Sequence, residues 1–320
     1  MTAAVGRDLE AFERRFHDVL ASGSETMLPF LDFVFSKRGK RSRPILFFLC
    51  RRLFPRPPDE DDHRMAVAIE LLHTASLVHD DVVDHSPFRR GKETLNARFG
   101  DRIPVLLGDF LMVRVLEIAG NVTSVSAVPI LVRTVDRMVQ GELLQALNQT
   151  PAALTPTLTS AMYLRIIGEK TSSLFETACD LAGQAGGADE AVQKKLRRFG
   201  HILGLAFQIR DDILDVSGDP RHLGKPVGQD FLNHKPTLPF LLALEGIPES
   251  ERSDAMALAR DPGATARFVE WIRQCRGIER SQDRIERLSG EALELLDGFE
   301  PSEIRDSLVR LVKQNTERVR

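Results

Sequence analysis

The sequence predicts an all-α fold, and three observations carry that reading. Long segments place apolar residues three and four apart, the spacing of one helix face. Runs that alternate every second residue and are rich in Val, Ile and Tyr are almost absent, and the chain holds a single Tyr. Clusters of Pro, Gly and short polar residues punctuate the periodic segments, and none forms a long flexible linker.

Taken in order, helices are expected at about 6–20, 24–36, 42–53, 62–84, 93–99, 103–120, 124–147, 156–183, 188–217, 235–245, 249–260, 264–274, 277–296 and 301–319. The first lies in "MTAAVGRDLEAFERRFHDVL", which is amphipathic and charged and so reads as a helix rather than a signal peptide. "FPRPPDEDD" (54–62) precedes the fourth, whose run "AVAIELLHTASLV" looks made for burial and ends on "HDDVVD" (79–84). Further punctuation falls at "HSPFRRGKE" (85–93), "NQTPAALTP" (148–156), "GQAGGADE" (183–190) and "GDPRHLGKPVGQDFLNHKP" (218–236). No composition shift marks a boundary, so residues 1–320 read as a single large helical domain.

Composition bounds the partners. The 320 residues are 42% hydrophobic and 28% charged, enough to bury a sizeable core. A net charge of −3 gives no global pull toward nucleic acid, so anion binding has to come from local clusters. Cys50, Cys179 and Cys275 lie far apart without CxxC or Cys/His spacing, and a reducing cytoplasm is expected. The longest apolar stretches, "PILFFLC" and "LPFLLAL", fall well short of the roughly 20 residues that span a bilayer, so no transmembrane segment is expected.

Two motifs echo one another, "DDVVD" at 80–84 and "DDILD" at 211–215. Residues four apart share a helix face, so Asp80 with Asp84, and Asp211 with Asp215, each make a two-carboxylate claw. His73 lies seven residues before Asp80 and Gln208 three before Asp211, near the same faces. Carboxylates closing a run built for burial repel one another and resist desolvation unless a positive charge joins them. A solvated helix end is one reading of either motif alone. The other is a hard divalent cation, since Mg²⁺ takes oxygen ligands from carboxylates, waters and substrate phosphates. Finding the motif twice favours the cation.

Basic residues accompany the claws. "RGKRSRP" (38–44) sets Lys40 and Arg43 at a loop-to-helix start, and "RRG" (89–91) puts Arg89 and Arg90 just past the first claw. "GEKTSS" (168–173) supplies Lys170 and Thr171, while "GK" (224–225) and "HKPTLP" (234–239) supply Lys225 and Lys235 after the second. Each alone reads as surface charge, but Arg and Lys beside two acidic helix ends also suit a phosphate.

In order along residues 36–245, "GKRSRP", "ELLHTASLVHDDVVD", "RRGKETLNARFG", "GEKTSSLF", "FQIRDDILDVSGD", "LGKPVGQD" and "KPTLP" resemble the trans-isoprenyl diphosphate synthases, the polyprenyl synthetase family. The resemblance implies a single helical bundle of the isoprenoid synthase type with a central product cavity. It implies head-to-tail joining of isopentenyl diphosphate to an allylic diphosphate, with release of pyrophosphate. Three Mg²⁺ ions, replaceable by Mn²⁺, are implied: Asp80 and Asp84 for two, Asp211 for the third, and Asp81 and Asp215 in support. Arg89, Lys170, Thr171, Gln208, Lys225 and Lys235 match the positions for the allylic diphosphate. Lys40, Arg43, His73 and Arg90 match those for isopentenyl diphosphate. A homodimer is also implied.

Product length is read from the residues before the first claw. Shorter-product members of the family usually carry an aromatic side chain where this chain has Ala75 and Ser76, so that plug is missing. Leu72 and Ile69 are the deeper candidates for a floor, and a helix turn of about 5.4 Å is comparable to one isoprene unit. The expectation is a long chain near octaprenyl, grown from a farnesyl or geranylgeranyl primer. A short-chain farnesyl or geranylgeranyl diphosphate synthase is the alternative. Ser42, Ser172 and Pro87 depart from common family residues, yet none removes a charged ligand. A class I terpene cyclase would have no need of Lys40, Arg43 and His73, and a noncatalytic subunit would tend to have lost one acidic motif. An HD-type phosphohydrolase, prompted by "HD" at 79–80, lacks the rest of its pattern.

Overall fold

Local chemistry sets the helix ends in the computed structural model, which describes residues 2–22, 25–36, 39–89, 91–149, 159–217 and 228–317. After a short 3-10 turn come α1 (Gly6–Ala21), α2 (Leu28–Phe35), α3 (Ser42–Arg51) and α4 (Glu60–Val83). Asp59 starts α4: its carboxylate accepts the N–H groups of Asp61 and Asp62, and Asp62 reciprocates to the Asp59 N–H. This capping box, with Glu60, Asp61 and Asp62 at the positive end of the helix dipole, fixes where α4 begins.

Two-residue strands β1 (Phe88–Arg89) and β2 (Lys92–Glu93) then pair antiparallel, with Arg89 opposite Lys92. The order continues through α5 (Leu95–Phe99), α6 (Arg102–Gly120), α7 (Ala127–Asn148) and α8 (Ser160–Ile167). One π-helical turn, Gly168–Ser172, joins α8 to α9 (Ser173–Gly186), and α10 (Glu190–Ser217) follows. α11 (Gln229–Leu232), α12 (Leu238–Glu245), α13 (Glu249–Ala259), α14 (Thr265–Gln274), α15 (Gly277–Leu296) and α16 (Glu303–Glu317) complete the chain.

The all-α expectation holds, since the hairpin supplies the only strands among the described residues. The segment expected as one helix over 156–183 is instead two helices about a π turn, and the expected loop at 85–93 contains the hairpin.

The chain divides into two compact units, each assembled from separated stretches. The first comprises Met1–Val132, Thr177–Arg197 and Phe299–Leu308. Here α4 packs chiefly on α6 and also on α1, α3 and α5. Phe12, Phe16, Phe47, Phe48 and Met65 are buried in its core, together with the Arg51–Asp62 ion pair at 3.0 Å. The second comprises Arg133–Glu176, Arg198–Gly298 and Val309–Arg320. In it α12 packs on α15, α14 and α8, and Phe268 stacks on Phe231 with ring centroids 4.4 Å apart. Four of the five boundaries fall inside α7, α9, α10 and α16, and the fifth falls in the connection between α15 and α16.

Candidate active site

In the first unit the site is built on the C-terminal end of α4. Asp80 and Asp84 stand one turn apart, with the Asp84 N–H on the Asp80 carbonyl at 2.8 Å, and both are partly exposed. The last turn carries no basic residue, so these carboxylates add to the negative end of the helix dipole. Asp81 sits about 100° round the helix and is buried, accepting the Arg89 Nε–H at 2.7 Å. Burial pushes the Asp81 carboxyl above its usual range, and Arg89 partly opposes this. The pair anchors the hairpin to the helix that carries the claw. His79 reinforces that helix end, its Nε2 meeting the Val105 carbonyl of α6 at 3.1 Å.

His73 lies two turns before Asp80 on α4, part-exposed. Ile69, Leu72 and Ala75 are buried, and Ser76 is part-exposed with its hydroxyl donating to the His73 carbonyl at 2.9 Å. Lys40 is exposed in the loop before α3, and Arg43 is buried in the first turn of that helix. Arg41, between them, turns onto Glu13 and Glu70 instead. Arg90 lies outside the described residues, as does Lys225.

In the second unit the C-terminal end of α10 separates its three carboxylates. Asp211 is exposed, 3.4 Å from the Arg210 guanidinium. Asp215 is buried: its side chain accepts the Asp230 N–H at 3.0 Å and its carbonyl the Gly228 N–H at 2.8 Å, which holds the start of α11 against the helix end. Asp212 is buried and central. It accepts the Tyr163 hydroxyl at 2.6 Å and the Gln208 amide at 2.9 Å, with Lys235 Nζ 3.9 Å away. Burial pushes Asp212 up to about 6 against the pull of Lys235. Lys235 also reaches Asp230 at 3.3 Å; burial disfavours its charge, but the surrounding carboxylates prevail and raise its pKa. Gln208 in turn accepts the Thr171 hydroxyl at 3.1 Å, so Thr171, Gln208, Asp212 and Lys235 form one connected network.

Lys170 and Thr171 project from the π turn, and Lys170 forms an ion pair with Glu142 of α7. Two glycines admit that turn. A methyl at Gly141 of α7 would collide with the Lys170 backbone, and one at Gly204 of α10 would sit 2.5 Å from the Ser172 Cα. Arg137 clamps it further, donating to Glu169 at 2.7 Å and to Glu176 at 3.0 Å.

Among the described residues no group of three or more His, Cys, Asp or Glu side chains is arranged to hold a metal ion by itself. The donors nevertheless fit Mg²⁺. Asp80 and Asp84 are hard oxygen donors on one face, and Mg²⁺ characteristically takes one or two carboxylates and completes its shell with water and substrate phosphate. Spacing singled out Asp80, Asp84, Asp211 and Asp215 and passed over Asp212 and Tyr163; an adjacent Asp one position off the i,i+4 stripe was the available signal. Arg41 carried none beyond its basic neighbours.

Comparison with known proteins follows this geometry. The sequence model of the family described as Polyprenyl synthetase matches residues 24–274. Heptaprenyl diphosphate synthase component 2 of Geobacillus stearothermophilus is 38% identical over 270 residues, covering 84% of this chain and 83% of the relative. Octaprenyl diphosphate synthase of Escherichia coli K12 is 35% identical over 283 residues, 87% and 86% of the two chains. Among solved structures, the polyprenyl synthase of Caulobacter crescentus CB15, complexed with calcium and isoprenyl diphosphate, superposes with a TM-score of 0.90. That structure is 31% identical, and the match covers 100% of this chain and 97% of that one.

Proposed function

The chain belongs to the polyprenyl synthetase family, and on that premise we propose that it extends an allylic diphosphate with isopentenyl diphosphate to a product near octaprenyl length. It is a prenyltransferase of the trans-polyprenyl diphosphate synthase family. The observation that carries the proposal is the pair of Asp-rich motifs, each ending a long helix whose last turn has no basic residue. The family match crosses both compact units, which supports reading residues 1–320 as one functional domain.

In the proposed reaction Asp80, Asp84 and Asp211 hold Mg²⁺, with Asp81 and Asp215 keeping the helix ends in place. When bound, Mg²⁺ supplies Lewis-acid stabilisation of the departing pyrophosphate. Arg89, Lys170, Thr171, Gln208, Lys225 and Lys235 orient the allylic diphosphate and spread its charge. Lys40, Arg43, His73 and Arg90 hold isopentenyl diphosphate so that its alkene meets the allylic carbon as the C–O bond breaks. A C–C bond forms, and the released pyrophosphate takes the surplus proton. Ala75 and Ser76 leave room for the growing chain, with Leu72 and Ile69 further along α4.

A homodimer is part of the proposal, supported by exposed apolar side chains on α6 and α7. The cytoplasm is the proposed setting, in keeping with three cysteines that lack CxxC or Cys/His spacing. A second reading, one component of a two-component synthase, is favoured by the name of the Geobacillus relative.

One product assay tests these readings. The purified chain is incubated with radiolabelled isopentenyl diphosphate and farnesyl or geranylgeranyl diphosphate, with and without Mg²⁺, beside Ala75→Phe. A metal-dependent product near octaprenyl, shortened by Ala75→Phe, is expected. Products ending after one added unit, at twenty carbons from farnesyl or twenty-five from geranylgeranyl diphosphate, overturn the length, and activity that appears only with a second protein selects the two-component reading.

A further inference from the structure

We propose that Arg41 is a positioning residue that makes α1 part of the isopentenyl diphosphate half of the site. The proposal rests on the function proposed above, and every group it uses lies in the first unit.

The Arg41 guanidinium is engaged by protein groups on its edges and one face. Nε and one terminal nitrogen reach the two Glu13 oxygens of α1 at 3.1 and 3.4 Å, and the other terminal nitrogen reaches Glu70 of α4 at 2.9 Å. Its Cζ also lies 4.4 Å from the ring centre of Phe16 on α1. The Arg41 side chain is 11% exposed, whereas Lys40 beside it is open to solvent. An arginine held this way anchors a loop instead of binding phosphate.

The backbone shows what the anchor secures. Arg41 adopts left-handed dihedrals, φ 52° and ψ 35°, immediately before α3. That conformation crowds the Cβ of an L-residue and persists where the surroundings over-determine it. The clasp provides that constraint, and the Ile45 N–H on the Arg41 carbonyl at 2.9 Å ties the same residue into the first turn of α3. The direction in which the chain leaves Lys40 and delivers Arg43 is therefore set at Arg41.

Glu70 carries the constraint to the third ligand. It stands three residues before His73 on α4, and the charge of Arg43 acts on its carboxylate. A methyl on Gly39 would lie 3.5 Å from that carboxylate, so the loop wraps closely over the clasp. Lys40, Arg43 and His73 are thus referenced to one buried cluster whose remaining member, Glu13, belongs to α1. Displacing a positioned substrate by about 1 Å costs on the order of 100-fold in rate, so the clasp has leverage on catalysis without touching substrate.

Steady-state kinetics with both substrates, calorimetric titration with isopentenyl diphosphate and thermal melting are measured on the full chain and on Glu13→Gln, Arg41→Lys and Arg41→Ala. Glu13→Gln and Arg41→Lys are expected to raise KM and Kd for isopentenyl diphosphate about 10-fold, with KM for the allylic diphosphate within about twofold and the folded transition kept. Arg41→Ala leaves two buried carboxylates facing one another, and if it does not fold the two conservative variants decide. Folded conservative variants with unchanged isopentenyl diphosphate KM and Kd, or with equal rises for both substrates, overturn the proposal. An unaltered chain that does not bind isopentenyl diphosphate overturns the function and this inference with it.

Discussion

Glu176 accepts from Arg137 at 3.0 Å and lies 3.4 Å from His201 Nδ1, in the clamp that holds the Lys170 turn. Burial alone would raise its pKa, but the His201 hydrogen bond and the Arg137 charge outweigh that and lower it. A carboxylate with a depressed folded pKa contributes stability that is present above its unfolded value of about 4.3 and lost as pH falls through the folded value. Glu176→Gln removes that contribution. Hydrogen bonds to charged groups are worth about 1.5–3 kcal/mol, so the variant is expected to be about 2 kcal/mol less stable than the unaltered chain near pH 7. The difference should shrink below pH ~4, read from urea midpoints across pH. A gap that does not change with pH would show that the charge on Glu176 does not stabilise the clamp. At this scale the sequence revealed chemistry but not burial. It marked Asp211 and Asp215 as one claw, while the folded chain exposes the first and buries the second along with the unmarked Asp212, because only packing decides which face of α10 meets Tyr163 and Asp230.

Periodicity placed the start of α4 within two residues, at 62 against Glu60, while the Asp59 and Thr159 caps that set the starts of α4 and α8 went unread. The π turn at Gly168–Ser172 was not legible, because residues 156–183 keep a helical spacing throughout and the widening depends on partners remote in sequence, Gly141 and Gly204. The β1–β2 hairpin was hidden for another reason: two-residue strands have no period to read. This account of the π turn predicts the sign of a glycine substitution. In an open helix Gly→Ala gains about 1 kcal/mol of propensity, and Gly290 of α15, with nothing within 4 Å of an added methyl, should show that gain. At Gly204 the methyl meets the Ser172 backbone, which cannot rotate away as a side-chain tip would. Overpacking costs about 1–3 kcal/mol, so against the propensity gain Gly204→Ala should lose up to about 2 kcal/mol net. Its KM for the allylic diphosphate should also rise, since Lys170 and Thr171 ride on the displaced turn. Denaturant unfolding and kinetics of both variants check the pair; a stabilised Gly204→Ala would remove the argument for a tightly seated turn.

For the whole molecule, the long apolar segments over 103–147 do not reveal in sequence which side chains face outward, because inner and outer positions are equally apolar there. The structure resolves this. On α6, Leu106 and Val113 are 57% and 61% exposed, seven residues apart and so on one face. On α7, Val132, Val139, Leu143 and Leu147 follow at offsets of seven, four and four, with Leu147 72% exposed. Single exposed apolar residues are ordinary, but Val139, Leu143 and Leu147 aligned along one face of α7 form the kind of surface that association covers. If a second copy covers them through a two-fold axis, each substitution appears twice in the interface. Val139→Glu together with Leu143→Glu then places four carboxylates there. An uncompensated buried charge costs about 3–5 kcal/mol, enough to weaken association by several powers of ten. Light scattering during size exclusion should give twice the 35.8 kDa chain mass for the unaltered protein and the single-chain mass for the double variant. The variant's far-ultraviolet spectrum should stay unchanged, because neither side chain belongs to the buried core. Both proteins at the single-chain mass would show that these side chains do not join copies of this chain.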